Sequence, residues 1–144
     1  MRLSQGRYVT SSARGFTLIE ALVALVVLSI GMLGVAAMQL KALQGAHAAY
    51  QRSIASLAAQ DAQERLWAEL AGKTSLECLT SAEVGNALSG WLGADWGDFL
   101  PGFSQSTISP ASGCEFTVAV RWEERRFGGV VEVFEYTVRL PGES

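Results

Sequence analysis

The pattern of apolar and polar positions changes character three times along the chain. Apolar character begins at Phe16, and from Ala21 to Leu40 there are 20 consecutive residues without a charge. As a helix rising about 1.5 Å per residue, that stretch is roughly 30 Å long, the thickness of a bilayer's hydrocarbon core. From Lys41 to Ala71 the pattern becomes amphipathic. Ile54, Ala58, Ala62, Leu66 and Leu70 recur at four-residue steps with Leu57 beside them, while Gln44, Gln51, Gln60, Gln63 and Glu64 are polar. That is one apolar face of a helix. Asp61 precedes Arg65 by one helical turn in the favourable order, and Gly72 suits a C-cap. The pattern predicts one helix from Thr17 to Ala71, roughly 80 Å long, whose second half needs a surface to bury its stripe against.

Beyond residue 115 the period falls to two. Phe116, Val118, Val120 and Trp122 alternate with Thr117, Ala119 and Arg121, and Phe134, Tyr136, Val138 and Leu140 alternate with Glu135, Thr137 and Arg139. Each run predicts a strand with one buried and one wet face. Phe127-Gly128-Gly129 marks the turn between them. Two strands alone are marginal, so a third is expected over Ser104 to Ser109. In the Gly- and Ser-rich region from Lys73 to Gly113, Thr80 with Glu83 three residues later forms a capping box, opening a short helix over Ser81–Leu92.

Composition narrows the function classes. With 144 residues there is room for one globular domain. Apolar residues at 49% against 17% charged exclude a disordered chain. A net charge of −3 and a pI near 5.1 leave no basic surface for nucleic acid. His47 is the only histidine, so a Ser-His-Asp triad or a His-rich metal site would have to use it; no enzyme, metal or other cofactor is expected. Asp95 and Asp98 beside Trp91 and Trp96 supply two carboxylates, short of the six to eight oxygens calcium takes. The two indoles are expected to plug the edge of the small core, the alternative being an exposed contact patch. Glu123-Glu124-Arg125-Arg126 reads as a solvated hairpin tip.

The segment before the apolar run, Met1 to Gly15, holds Arg2, Arg7 and Arg14 and no acid. The run is too long for the apolar core of a secretory signal, and Ala37-Met38-Gln39 is a poor cleavage site. The arginines favour a cytoplasmic N-terminus with the remainder exported. In an exported domain the two cysteines, Cys78 and Cys114, meet an oxidising compartment and are expected to pair. Closing that loop contributes roughly 3.5–4 kcal/mol in the chain-entropy model. Glu20 stands out, because a carboxylate at the mouth of an apolar span costs about 2.5–3.5 kcal/mol if carried to its centre. It either lies at headgroup level or finds a positive partner.

The string Arg14-Gly15-Phe16-Thr17-Leu18-Ile19-Glu20 resembles the type IV prepilin processing site. The resemblance implies cleavage by a prepilin peptidase after Gly15, N-methylation of Phe16, and an assembly role for Glu20, which falls on the family's glutamate. Ser29 to Leu40, Ala59 to Leu66, and Phe99-Leu100-Pro101-Gly102 followed by a strand ending in Arg121-Trp122 are similar to the type IV pilus modification (PilV) minor pilins. One departure is that no proline precedes Pro101, where many major pilins carry one in the membrane helix; Gly31, Gly34 and Gly45 are left to soften it. The resemblance implies an α+β pilin fold, a long N-terminal helix with a membrane-spanning first half, packed on a small antiparallel sheet. Its expected organisation is a cleaved leader (1–15), a transmembrane and assembly helix (16–40) and a periplasmic head (41–144). The head comprises the second half of the helix (41–71), a variable loop (72–114) and the sheet (115–140). The implied role is that of a minor pilin, held in the bacterial inner membrane and then built into the pilus, supporting biogenesis, adhesion or motility. Its partners would be the prepilin peptidase, major and other minor pilins, and the inner-membrane assembly platform. A minor pseudopilin of a type II secretion system would share leader, helix and sheet. An adhesin-like module would instead use the region from Lys73 to Gly113 as its contact surface.

Overall fold

The computed structural model describes residues 15–75, 77–126 and 128–142. Its elements run α1 (Leu18–Ala71), α2 (Ser81–Leu92), a 3₁₀ turn (Asp95–Asp98), a second 3₁₀ turn (Phe103–Gln105), β1 (Thr107–Pro110), β2 (Glu115–Glu124) and β3 (Val130–Arg139). The chain divides into two units between Ala42 and Leu43.

In the first unit, every described residue of α1 except Ala21 is exposed. An 18-residue window there reaches a mean hydropathy of 2.5 with none of it buried, so the helix is long and apolar enough to cross a membrane. The helix is uninterrupted at Gly31, Gly34 and Gly45. A Cβ added at any of the three would meet nothing within 4 Å.

The second unit is α+β: the later part of α1 packs on a three-stranded antiparallel sheet in the order β1-β2-β3. The helix buries Gln51, Ala55, Ala58, Ala59, Ala62 and Leu66, a seam of alanines flanked by the half-buried Ile54 and Leu70. Leu57 is 49% exposed; it lies about 100° round the helix from Ala58. The small helix side chains face large ones. Strand β2 is the central strand and buries Phe116, Val118, Val120 and Trp122, so volume lost on one side of the interface is supplied from the other. Strand β3 buries only Val138, with Phe134 and Tyr136 half-buried.

One boundary and one cap conformation differ from the sequence reading. The third strand begins at Thr107, because Gly102 enters a left-handed conformation (φ 85°) and turns Phe103–Gln105 into a 3₁₀ turn. Gly72 ends α1 with its N–H on the carbonyls of Ala68 and Glu69, but it is not among the positive-φ glycines, so it does not form a left-handed cap. The expected turn at Phe127-Gly128-Gly129 lies partly outside the described residues. Gly129 (φ 65°) closes the hairpin by donating to the Glu124 carbonyl at 2.7 Å.

Candidate functional site

The arginines of Met1 to Arg14 lie outside the described residues; the processing segment is seen from Gly15 onward. Gly15, Phe16 and Thr17 precede the helix and are exposed. The Thr17 carbonyl accepts from the N–H groups of Glu20 (3.1 Å) and Ala21 (3.2 Å), which starts α1. A Cβ built at Gly15 meets nothing within 4 Å among the described residues. Phe16 is 75% exposed and Glu20 sits exposed in the first turn of α1. At a helix N-terminus a carboxylate is favoured by the helix dipole, and among the described residues nothing covers it.

On the membrane-type stretch, Val27, Leu28, Gly31, Met32, Val35, Ala36 and Gln39 form a shallow apolar groove. Gly31 is its floor, where the missing side chain lets another surface approach the backbone.

In the second unit, Cys78 and Cys114 are joined in a disulfide with Cα atoms 5.1 Å apart, closing a loop of sequence separation 36. The bridge ties the segment after α1 to the start of β2. Between them, α2 opens on the capping box: the Glu83 N–H donates to Thr80 Oγ1 (3.4 Å) and the Thr80 N–H to Glu83 Oε2 (2.6 Å). Glu83 Oε2 also accepts from Lys73 Nζ (3.0 Å) and the Thr80 hydroxyl (2.8 Å). These donors, the Thr80 backbone N–H foremost, lower the Glu83 pKa to about 2.

Trp91 is fully buried, its Nε1 donating to the Ala58 carbonyl at 2.8 Å and its ring edge-on to Phe103 at 4.9 Å. Trp96 is half-buried and donates to Asp61 Oδ2 at 2.8 Å; the other oxygen of Asp61 pairs with Arg65 Nε at 3.1 Å. Trp122 donates to the buried Gln51 Oε1 at 3.1 Å. Three indoles from three different segments thus fasten onto α1. The sequence reading made Trp91 and Trp96 core plugs and overlooked their acceptors. For Trp122 a signal was available: its acceptor Gln51 sits one turn before Ala55, in line with the alanine seam, where a glutamine needs a partner.

The charged run at the hairpin is less solvated than its composition suggests. Glu124 lies 3.3 Å from His47 Nε2, with the two side chains 15% and 23% exposed; Glu123 pairs with Arg125 at 2.9 Å. Asp95 and Asp98 are the first and last residues of one 3₁₀ turn, and among the described residues no group of three or more His, Cys, Asp or Glu side chains gathers for a metal.

Compared with known families, residues 10–36 match the prokaryotic N-terminal methylation motif. No curated protein and no solved structure matches the chain. The motif covers Gly15, Phe16, Glu20 and most of the apolar stretch, and it supports a type IV pilin-like protein, a pilin or pseudopilin precursor. It marks structural proteins that are processed by prepilin peptidase and assemble with other pilins. With the apolar N-terminal helix it fits a membrane-anchored pilin.

Proposed function

We propose that this chain is a minor pilin of a type IV pilus, of the kind typified by the type IV pilus modification (PilV) proteins. The observation that carries the reading is the methylation motif running straight into an apolar helix with no buried residue, on a chain whose remaining residues form an α+β head. The precursor waits in the inner membrane, N-terminus cytoplasmic and head periplasmic. The peptidase cuts between Gly15 and Phe16, removing three arginines and leaving 129 residues with eight basic and fourteen acidic side chains, a net −6. The Phe16 amine is then methylated.

The free amine of Phe16 is largely protonated at neutral pH, since α-amino groups titrate near 7.7–8.0. In a low-dielectric surrounding it attracts a carboxylate strongly, which offsets the desolvation of both charges. Glu20 of one subunit beside the Phe16 amine of its neighbour would set the axial register of the packed helices. The head would then contribute to pilus biogenesis, adhesion or motility.

Intact mass and N-terminal sequencing of membrane-extracted protein test the processing step: the expected N-terminus is methyl-Phe16, and any other start overturns it. For the assembly role, Glu20→Ala is expected to leave cleavage and the head intact while lowering the ratio of this protein in sheared filaments to that in membranes. An unchanged ratio removes the charge-pairing role. Recovery with secretion machinery and loss of secretion on deletion, with pili intact, would instead make the chain a minor pseudopilin of a type II secretion system.

A further inference from the structure

The two edges of the sheet are finished differently. On the β1 side the edge is closed. Strand β1 is four residues long and ends in Pro110, and beyond it the outward N–H of Arg121 is taken by the Ser106 hydroxyl (2.9 Å) and that of Glu123 by the Pro101 carbonyl (2.7 Å). On the β3 side, no described strand pairs with the outer edge.

The ladder fixes which groups that edge displays. Leu140 donates to Cys114, and from there the register Phe116↔Val138, Val118↔Tyr136 runs along β3 to Glu124↔Val130. Even-numbered residues of β3 therefore turn their N–H and C=O toward β2. In an antiparallel ladder both groups of a residue point the same way, so Val131, Val133 and Glu135 turn theirs outward. Val131 and Val133 are also 54% and 40% exposed. Strand β3 spans ten residues and contains no proline or lysine, two of the devices that keep an edge from pairing; its charged residues are Glu132, Glu135 and Arg139.

We propose that this edge is a docking site for one extended strand of a different protein, added antiparallel to β3 with apolar residues opposite Val131 and Val133 and a lysine or arginine opposite Glu135. Main-chain hydrogen bonds supply the attachment and the alternate side chains the selectivity. A second copy of this chain fits poorly. Two-fold pairing of β3 with itself centred on Glu132 or Glu135 sets two carboxylates face to face. Centred on Val133 it sets Val131 against Glu135, and centred on Phe134 it sets Val133 against Glu135. Centred on Thr137 it pairs Glu135 with Arg139 but overlaps only residues 135–139 of β3, leaving Val131 and Val133 uncovered. Like charges directly opposite are destabilising, whereas opposite charges and apolar pairs stabilise a ladder.

The test uses the full chain in detergent micelles and a synthetic eight-residue peptide of alternating threonines, with two valines and one lysine at the facing positions. Backbone exchange is read by NMR. Alone, the Val131, Val133 and Glu135 amides are expected to exchange freely while Phe134, bonded into β2, is protected. Peptide should slow the first three at least tenfold. Val133→Pro removes an outward N–H and should abolish the effect. Glu135→Lys should shift preference at least tenfold toward a peptide carrying glutamate in place of lysine; this second variant keeps the test decisive if the proline variant fails to fold. Three results overturn the proposal: outer amides already protected in the isolated protein, equal binding of both peptides by both proteins, or protection that rises with protein concentration without peptide, which would make a second copy the occupant.

Discussion

Helix α1 is built in two ways, and the comparison separates what the chain satisfies by itself from what it leaves to its surroundings. Before Leu43 the side chains are mostly large and apolar, and every described residue except Ala21 is exposed. After Leu43 the seam that matters is alanine, and Ala55, Ala58, Ala59 and Ala62 are at most 1% exposed. Hydrophobic residues alone do not make a core. The early stretch has more apolar surface and buries none of it, so its stabilisation must come from lipid or from other helices. The later stretch has little apolar surface but meets a sheet shaped to receive it.

Breaking the second half should therefore show in the stability of the head, and breaking the first should not. The largest effect is expected from the disulfide. Cys78→Ser with Cys114→Ser should cost roughly 4 kcal/mol of head stability, measured by urea unfolding of the full chain in detergent with near-ultraviolet circular dichroism. Next comes the direct contrast. Leu66, fully buried, cut to alanine should cost about 3 kcal/mol, while Leu33→Ala, 71% exposed, should leave the head's midpoint where it was. Equal losses would mean that the first half contributes to the head's core.

Smaller again is Trp122→Phe, which keeps the ring but strands the buried Gln51 Oε1; the expected cost is about 2 kcal/mol, with Trp122→Phe/Gln51→Leu recovering part of it. The smallest effect is acid sensitivity at α2. Glu83 has its pKa lowered from 4.5 to about 2 in the folded head, so its contribution is fully present above about pH 4.5 and is lost as pH falls toward 2. Glu83→Gln should flatten that part of the stability–pH curve. An unaltered curve would show that the capping carboxylate contributes nothing measurable.

The long helix, both main strands and the capping box were legible from the sequence because each is a local pattern: a period of 3.6, a period of two, or Thr80 with Glu83. The alanine seam was only half legible. Ala58, Ala62 and Leu66 were on the expected stripe, but Ala55 and Ala59 were not, and Leu57 was assigned to it because hydrophobicity ranks leucine above alanine. What decides burial here is the shared core with the sheet, Phe116 and Trp122 among its members, which no residue of α1 encodes alone. The segment matched by the methylation motif was legible for the opposite reason: Gly15, Phe16 and Glu20 are exposed, so no packing disguises their pattern. The indole acceptors lie 33 to 71 residues from their donors, beyond the reach of any window.

That arrangement of indoles has an optical consequence. Three of the four tryptophans are hydrogen-bonded to α1, and the fourth, Trp67, is carried on α1 itself. The emission of an indole moves to longer wavelength when it leaves a dry, bonded site for water. If α1 lifts from the sheet, Trp91, Trp96 and Trp122 change surroundings together, against the steadier background of the already 39% exposed Trp67. The protein thus carries its own dye: a red shift in its fluorescence reads the seating of the helix without any label attached.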